Sequence, residues 1–272
     1  MSATTVARAF EAARAEERAV LVGYLPAGFP DVEGGIEAMT TMVEAGCDVV
    51  EVGLPYSDPV MDGPTIQAAA QQALEAGVRT SDVLRTVEAV ATTGAPTLVM
   101  TYWNPVERYG VDRFAADLAR AGGAGLITPD LVPDEAKEWI AAADAHRLDK
   151  VFLVAPSSTD ARLAATVSAC RGFVYATAVM GVTGARSSTS VLAGPLVKRV
   201  REVTELPVGV GLGVSNGEQA AEVASYADAV IVGSAFVRAL LDHPDDRRAG
   251  LAALRELTAD LAAGVRRGSS SR

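Results

Sequence analysis

The chain has 272 residues, 49% of them apolar, and its 34 acidic against 24 basic side chains leave a net charge of −10. That length suits one α/β barrel and the apolar share allows a large core, while the negative charge disfavours a nucleic-acid binder, which needs Lys and Arg on the phosphates. No apolar run reaches the roughly 18 residues that cross a bilayer, and the start of the chain mixes Arg and Glu without an apolar leader core, so a cytoplasmic protein away from membranes is expected.

Short apolar runs alternate along the chain with Ala-rich stretches of helical spacing. Strands are predicted at 19–24, 49–54, 97–102, 125–128, 151–155, 173–178, 208–212 and 229–232. Helices are predicted between them at 34–45, 65–76, 111–121, 133–146, 161–170, 194–203 and 217–224, with a last one at 249–265. Strands alternating with helices imply parallel pairing, and near-continuous apolar strands imply burial on both faces. Eight such units fit a closed (β/α)8 barrel, with an open doubly wound sheet as the alternative. An extra N-terminal helix at 3–15 and an added helix at 81–93, after the second unit, decorate it. No Pro-, Gly- or Ser-rich linker divides the chain, so residues 1–272 read as one domain, with 267–272 as a mobile tail.

In a barrel the reactive groups stand where strands end and βα loops begin. Glu51 lies inside the second apolar run, on the face of Val49 and Gly53 and opposite Val50 and Val52. A carboxylate there is either a salt-bridged strand end or a proton-transfer group whose pKa partial burial raises. The loop that follows holds Asp58 before Pro59 and Asp62 before Gly63. Both have an alternative as turn residues, and Asp62 also as the N-cap of the helix that starts near Pro64. Near Glu51, a second carboxylate allows one group to stay ionised while the other keeps its proton. The last three strands end in glycine loops, carrying Gly181 and Gly184, Gly211 and Gly213, and Gly233 followed by Ser234. Such loops suit a phosphate held by backbone N–H groups, with Ser234 adding a hydroxyl or an N-cap; plain tight turns are the alternative. Tyr24, Ile66, Tyr102, Leu126, Phe152 and Tyr175 are candidate pocket walls or core residues, and Asn104 reads as a polar turn before Pro105. Cys47 and Cys170 read as buried apolar residues, and His146 and His243 stand in no motif, so neither a His-based triad nor a metal site is expected.

The string EVGLPYSDPVMDGPTIQ closely resembles the signature of the tryptophan synthase α-subunit family. YLPAGFPD, LVMTYWNPVERYG, GLITPDLVPDEA, FVYATAVMGVTGAR, VGVGLGVSN and AVIVGSAFV resemble its other strand ends, in family order over nearly the whole chain. The resemblance implies a lyase that splits indole-3-glycerol phosphate into indole and D-glyceraldehyde 3-phosphate. By that resemblance Glu51 is the acid/base that protonates the indole ring carbon, and Asp62 is the carboxylate that bonds the indole N–H. Gly184, Gly213, Gly233 and Ser234 stand at the phosphate, and Ile66, Tyr102 and Tyr175 beside the substrate. Thr183 stands in a mobile loop that closes over the site and helps to orient the Asp. Asp58 and Asn104 stand on the face that meets a β subunit, in an α2β2 heterotetramer. The β subunit would carry pyridoxal phosphate and receive the indole through a tunnel, and this chain would hold no cofactor.

The chain departs from the family pattern at Pro26, where Thr is common, at Phe29, where Asp is usual, at Val132, and over Thr177-Ala178-Val179-Met180 before the closing loop. These departures bear on loop closure and on communication with β. Three rival readings differ in outcome: a barrel lyase or isomerase on another phosphate ester, a stand-alone indole-releasing lyase, and a non-catalytic regulatory subunit.

Overall fold

A computed structural model describes residues 5–177 and 192–268. The strands are β1 Val20–Pro26, β2 Val49–Gly53, β3 Thr97–Met100, β4 Gly125–Thr128, β5 Asp149–Val154, β6 Val174–Thr177, β7 Val208–Gly211 and β8 Ala229–Val232. Each pairs in parallel with the next, and β8 returns to β1, so the sheet is a closed barrel rather than an open one. The helices are α1 Thr5–Ala15, α2 Val32–Glu44, α3 Pro64–Glu75, α4 Thr80–Ala91, α5 Trp103–Tyr109 and α6 Val111–Arg120, then α7 Lys137–His146, α8 Asp160–Ala169, α9 Ala193–Arg201, α10 Gly217–Ala224, α11 Ser234–Leu241 and α12 Arg247–Arg267.

Period-two alternation along each strand sorts the core into two layers. Val50, Val52, Leu126, Phe152 and Val174 face outward and pack under the helices. Val20, Val22, Val49, Leu98, Ile127, Val151 and Ile231 face inward and fill the barrel. The expected extra N-terminal helix is α1, and its Val6, Phe10 and Ala13 join the inward layer, with the Phe10 ring 5.7 Å from that of Phe173. The added helix after the second unit is α4.

Two helices were not foreseen. In α5, Asn104 and Pro105 suggest a turn, yet both sit in the first turn, where an N–H has no acceptor to reach, so proline costs nothing. Asn104 is therefore helical and exposed. Ser234 opens α11, a segment that reads in the sequence only as the end of a glycine loop. The seventh helix also starts later than its spacing predicts, at Lys137, because residues 133–136 form tight turns. Of the expected tail, Arg267 ends α12 and Gly268 is its C-cap, while 269–272 lie outside the described residues.

The register that serves the site is set at the opposite end of β1 and β2. Asp48 accepts the Leu21 N–H at 2.9 Å and both Arg18 guanidinium N–H groups at 2.7 and 2.9 Å. Those bonds bring Tyr24 of β1 level with Glu51 of β2. The outer wall is locked where α12 crosses α10: a Cβ at Gly264 would strike the Gly217 backbone, and the Asp260 carboxylate accepts the Gly217 N–H at 2.6 Å. Gly264→Ala is therefore expected to lower stability by about 1–3 kcal/mol through forced separation of the two helices, read as a lower urea midpoint with an unchanged slope.

Candidate active site

Glu51 is fully buried in the middle of β2, and its parity turns it into the barrel with Val49. Both carboxyl oxygens are buried without a hydrogen-bond partner among the described residues. With no cation or donor among the described residues to hold a charge there, burial pushes its pKa up to about 8. The group is therefore a neutral acid at pH 7. It lines a cavity of about 840 Å³, open mouth included, at the C-terminal ends of the strands.

Asp62 reaches the same cavity from the loop after β2. It is not a helix cap. Gly63 takes the N-cap position of α3 without a side-chain bond, and Pro64 opens the helix. Burial raises the Asp62 pKa, and a hydrogen bond from the Tyr102 hydroxyl opposes that rise. The Tyr102 hydroxyl also accepts the Met61 N–H at 3.0 Å. Glu51 and Asp62 thus share one cavity in unequal environments, one fully buried with no hydrogen-bond partner among the described residues, the other half-buried and hydrogen-bonded.

Two tyrosines flank Glu51. Tyr24 stands in the slot left by Gly53 and Tyr175 in the slot left by Gly211, since a Cβ on either glycine would meet the phenol. Burial raises both phenols well above their ordinary pKa, the Asp62 carboxylate adds to the rise at Tyr24, and Glu51 adds to both once it ionises, so both stay protonated. Ile66 on α3 closes one side of the cavity. Gly213, Gly233 and Ser234 come together on the other side. Gly213 has φ +76°, a conformation that favours glycine, and Gly233 is the N-cap of α11. Ser234 is the first helical residue rather than the N-cap, and the N-terminus of α11 offers N–H donors to an anion.

The family model for the tryptophan synthase alpha chain matches residues 10–266. The chain belongs to that family. The tryptophan synthase alpha chain of Salinispora tropica is 70% identical over 258 residues, 95% of this chain and 96% of that one. That of Acidothermus cellulolyticus is 66% identical over 264 residues, 97% and 98% of the two chains. A structure of Mycobacterium tuberculosis tryptophan synthase superposes with a TM-score of 0.91 at 60% identity, covering 97% of this chain and 99% of that one. The tryptophan synthase subunit alpha of Legionella pneumophila gives 0.86 at 30% identity, covering 97% and 99%. The tryptophan synthase α chain is a lyase, and this one is built as the barrel its family predicts.

Against that family the expected site residues fall into groups. Glu51, Asp62, Tyr24, Ile66, Tyr175, Gly213, Gly233 and Ser234 line the one cavity. Tyr102 holds the 61–62 segment instead of lining it. Thr183 and Gly184 lie outside the described residues. Leu126 and Phe152 are core residues of the outward layer, and the cavity wall is supplied instead by Met100 of β3 and Leu153 of β5. Counting two residues further along β5 from Val151, an inward residue, would have found Leu153. Asp58 is exposed and accepts the Ser57 hydroxyl at 2.6 Å. Of the departures, Phe29 is 2% exposed and packs into the outer core, and the Thr177 hydroxyl donates to the Val154 carbonyl at 3.3 Å while lining the cavity. Among the described residues no group of His, Cys, Asp and Glu could hold a metal ion, and no helix is long and apolar enough to cross a membrane.

Burial of Glu51 has a sign that stability can report. Unfolded, it releases its proton near the ordinary value of 4.5, whereas folded it keeps the proton up to about pH 8. Between those values unfolding releases a proton, so stability falls as pH rises, by at most about 1.4 kcal/mol per unit. Glu51→Gln, neutral throughout, is expected to gain on the parent protein from pH 5 to pH 8 in chemical denaturation. A constant difference across that range would contradict an unpartnered buried carboxyl.

Proposed function

We propose that the chain cleaves indole-3-glycerol phosphate to indole and D-glyceraldehyde 3-phosphate, with Glu51 and Asp62 as the two catalytic carboxyl groups. The observation that carries this reading is the neutral, unpartnered Glu51 facing the cavity that Asp62 also enters. Retro-aldol cleavage needs a proton at the indole ring carbon and the loss of a proton from the neighbouring hydroxyl. Glu51 donates the first. The ring nitrogen then carries positive charge, which ionised Asp62 offsets by accepting its N–H. As the carbon–carbon bond breaks, its electron pair returns to the ring, the hydroxyl becomes the aldehyde, and the carboxylate left on Glu51 takes the hydroxyl proton. Closing the cavity over bound substrate would expel water and strengthen both electrostatic effects.

The phosphate would sit against Gly213, Gly233, Ser234 and the N-terminus of α11, with Gly184 contributing from beyond the described residues. Tyr24, Ile66 and Tyr175 would clamp the flat indole, Tyr102 would act through Asp62, and Thr183 would belong to the closing loop. The partner would be a β subunit in an α2β2 assembly, which would hold the pyridoxal phosphate. Support for a docking face comes from the loops after β2 and β4, where Val60 is 72% and Val132 38% exposed, beside exposed Asp58 and Asn104. The cytoplasm would be the setting.

The deciding experiment is indole release from indole-3-glycerol phosphate by the purified chain, alone and with a tryptophan synthase β subunit. Slow release that rises sharply with β is expected. Fast release without it would mean a stand-alone lyase, and none in either case would defeat the reading. Glu51→Gln should abolish release and Asp62→Asn should cost about 10² or more in kcat. Because Glu51 must carry its proton, the rate should fall as pH rises through about 8, and that limb should vanish if Glu51 is not the donor.

A further inference from the structure

The turn Pro129-Asp130-Leu131 after β4 carries a carboxylate with no part in the chemistry just described. Asp130 accepts the Trp103 N–H through both oxygens, at 2.9 and 3.2 Å. Trp103 opens α5, whose own N-cap, Tyr102, makes no side-chain capping bond. A residue from the loop after β4 thus caps a helix that follows β3. Its surroundings supply backbone N–H groups rather than a cation, so the bond to α5 is the charge-assisted contact that Asp130 makes.

That bond falls at a particular point of the chain. Pairing between β3 and β4 ends at Met100, and the Thr101 N–H still reaches the Ile127 carbonyl at 3.1 Å. Two residues later Asp130 takes over as the anchor. Between the two anchors lies Tyr102, 5% exposed, whose hydroxyl accepts from Met61 and donates to Asp62. Its ring is placed by its backbone and by contact with Tyr56, 5.4 Å between centroids.

We propose that Asp130 is a positioning residue for Asp62, acting through the first turn of α5 and the Tyr102 hydroxyl. Releasing the Trp103 N–H frees the end of α5, Tyr102 loses its fixed reach, and the Asp62 carboxylate loses the donor that aims it. The kinetic consequence rests on the role given to Asp62 above, but the chain of contacts does not.

The test follows the Asp62 carboxyl directly, by ¹³C NMR titration with its signal assigned through Asp62→Asn, in the wild type, Tyr102→Phe, Asp130→Ala, Asp130→Asn and the Tyr102→Phe/Asp130→Ala pair. Among the described residues the ionisable groups facing Asp62 are Tyr102 from the start of α5, Tyr24 from β1 and, across the shared cavity, Glu51 from β2, and only the first is altered. Asp130→Ala is expected to move the titration upward in the same direction as Tyr102→Phe. The double variant should match Tyr102→Phe alone, because both act on one contact. Asp130→Asn, which keeps an acceptor oxygen, should stay near the wild type. In indole release, Asp130→Ala should lower kcat about tenfold with KM little changed, as expected for a misaimed group. An unmoved titration in folded Asp130→Ala, or shifts that add in the double variant, would overturn the proposal. A wild type that releases no indole would overturn the reaction assigned above, and the titration would still decide for or against Asp130.

Discussion

Glu51 sits inside a closed ring of strands with its carboxyl buried and without a hydrogen-bond partner among the described residues, and the surrounding barrel has to tolerate it. Such a group costs free energy wherever it is ionised, and the protein answers by leaving it neutral instead of supplying a cation. The tolerance comes from the two apolar layers on either side of the sheet, which hold β2 in place whatever its one polar side chain does. Adding an Arg or Lys beside Glu51 would relieve the cost and also remove the acid. Reactivity and local instability at this position are the same physical fact.

The same economy governs the tyrosines. A ring as large as tyrosine fits level with Glu51 only because the adjoining strands end in Gly53 and Gly211. The glycines at these strand ends therefore do two different jobs. Some make room for a neighbouring side chain, while Gly213 and Gly233 bring backbone toward the cavity. A motif reading treats them alike, and only the packing separates them.

Much of this was legible in the sequence because parallel strands buried on both faces are continuous apolar runs, and one carboxylate inside such a run is conspicuous. All eight strands and the parity of Glu51 follow from that signal. What stayed hidden depends on contacts between segments far apart in the chain. The capping of α5 by Asp130 spans 27 residues and leaves no local trace. The helix itself hides behind Asn104 and Pro105, whose turn preference and first-turn tolerance look identical in one dimension. Asp62 beside Gly63-Pro64 looks like a cap for the same reason, although the cap falls one residue later. Leu126 and Phe152 left open whether each was wall or core; they are core, and the side chains that line the cavity are Met100 of β3 and Leu153 of β5.

The first helix deserves its place in any account of traffic through the molecule. With Val6, Phe10 and Ala13 wedged among the inward side chains, α1 acts as a stopper at the N-terminal end of the barrel. Among the described residues that end of the barrel is plugged, so the cavity faces outward past the strand tips at the other end, and what reacts there arrives by the side on which Glu51 and Asp62 stand.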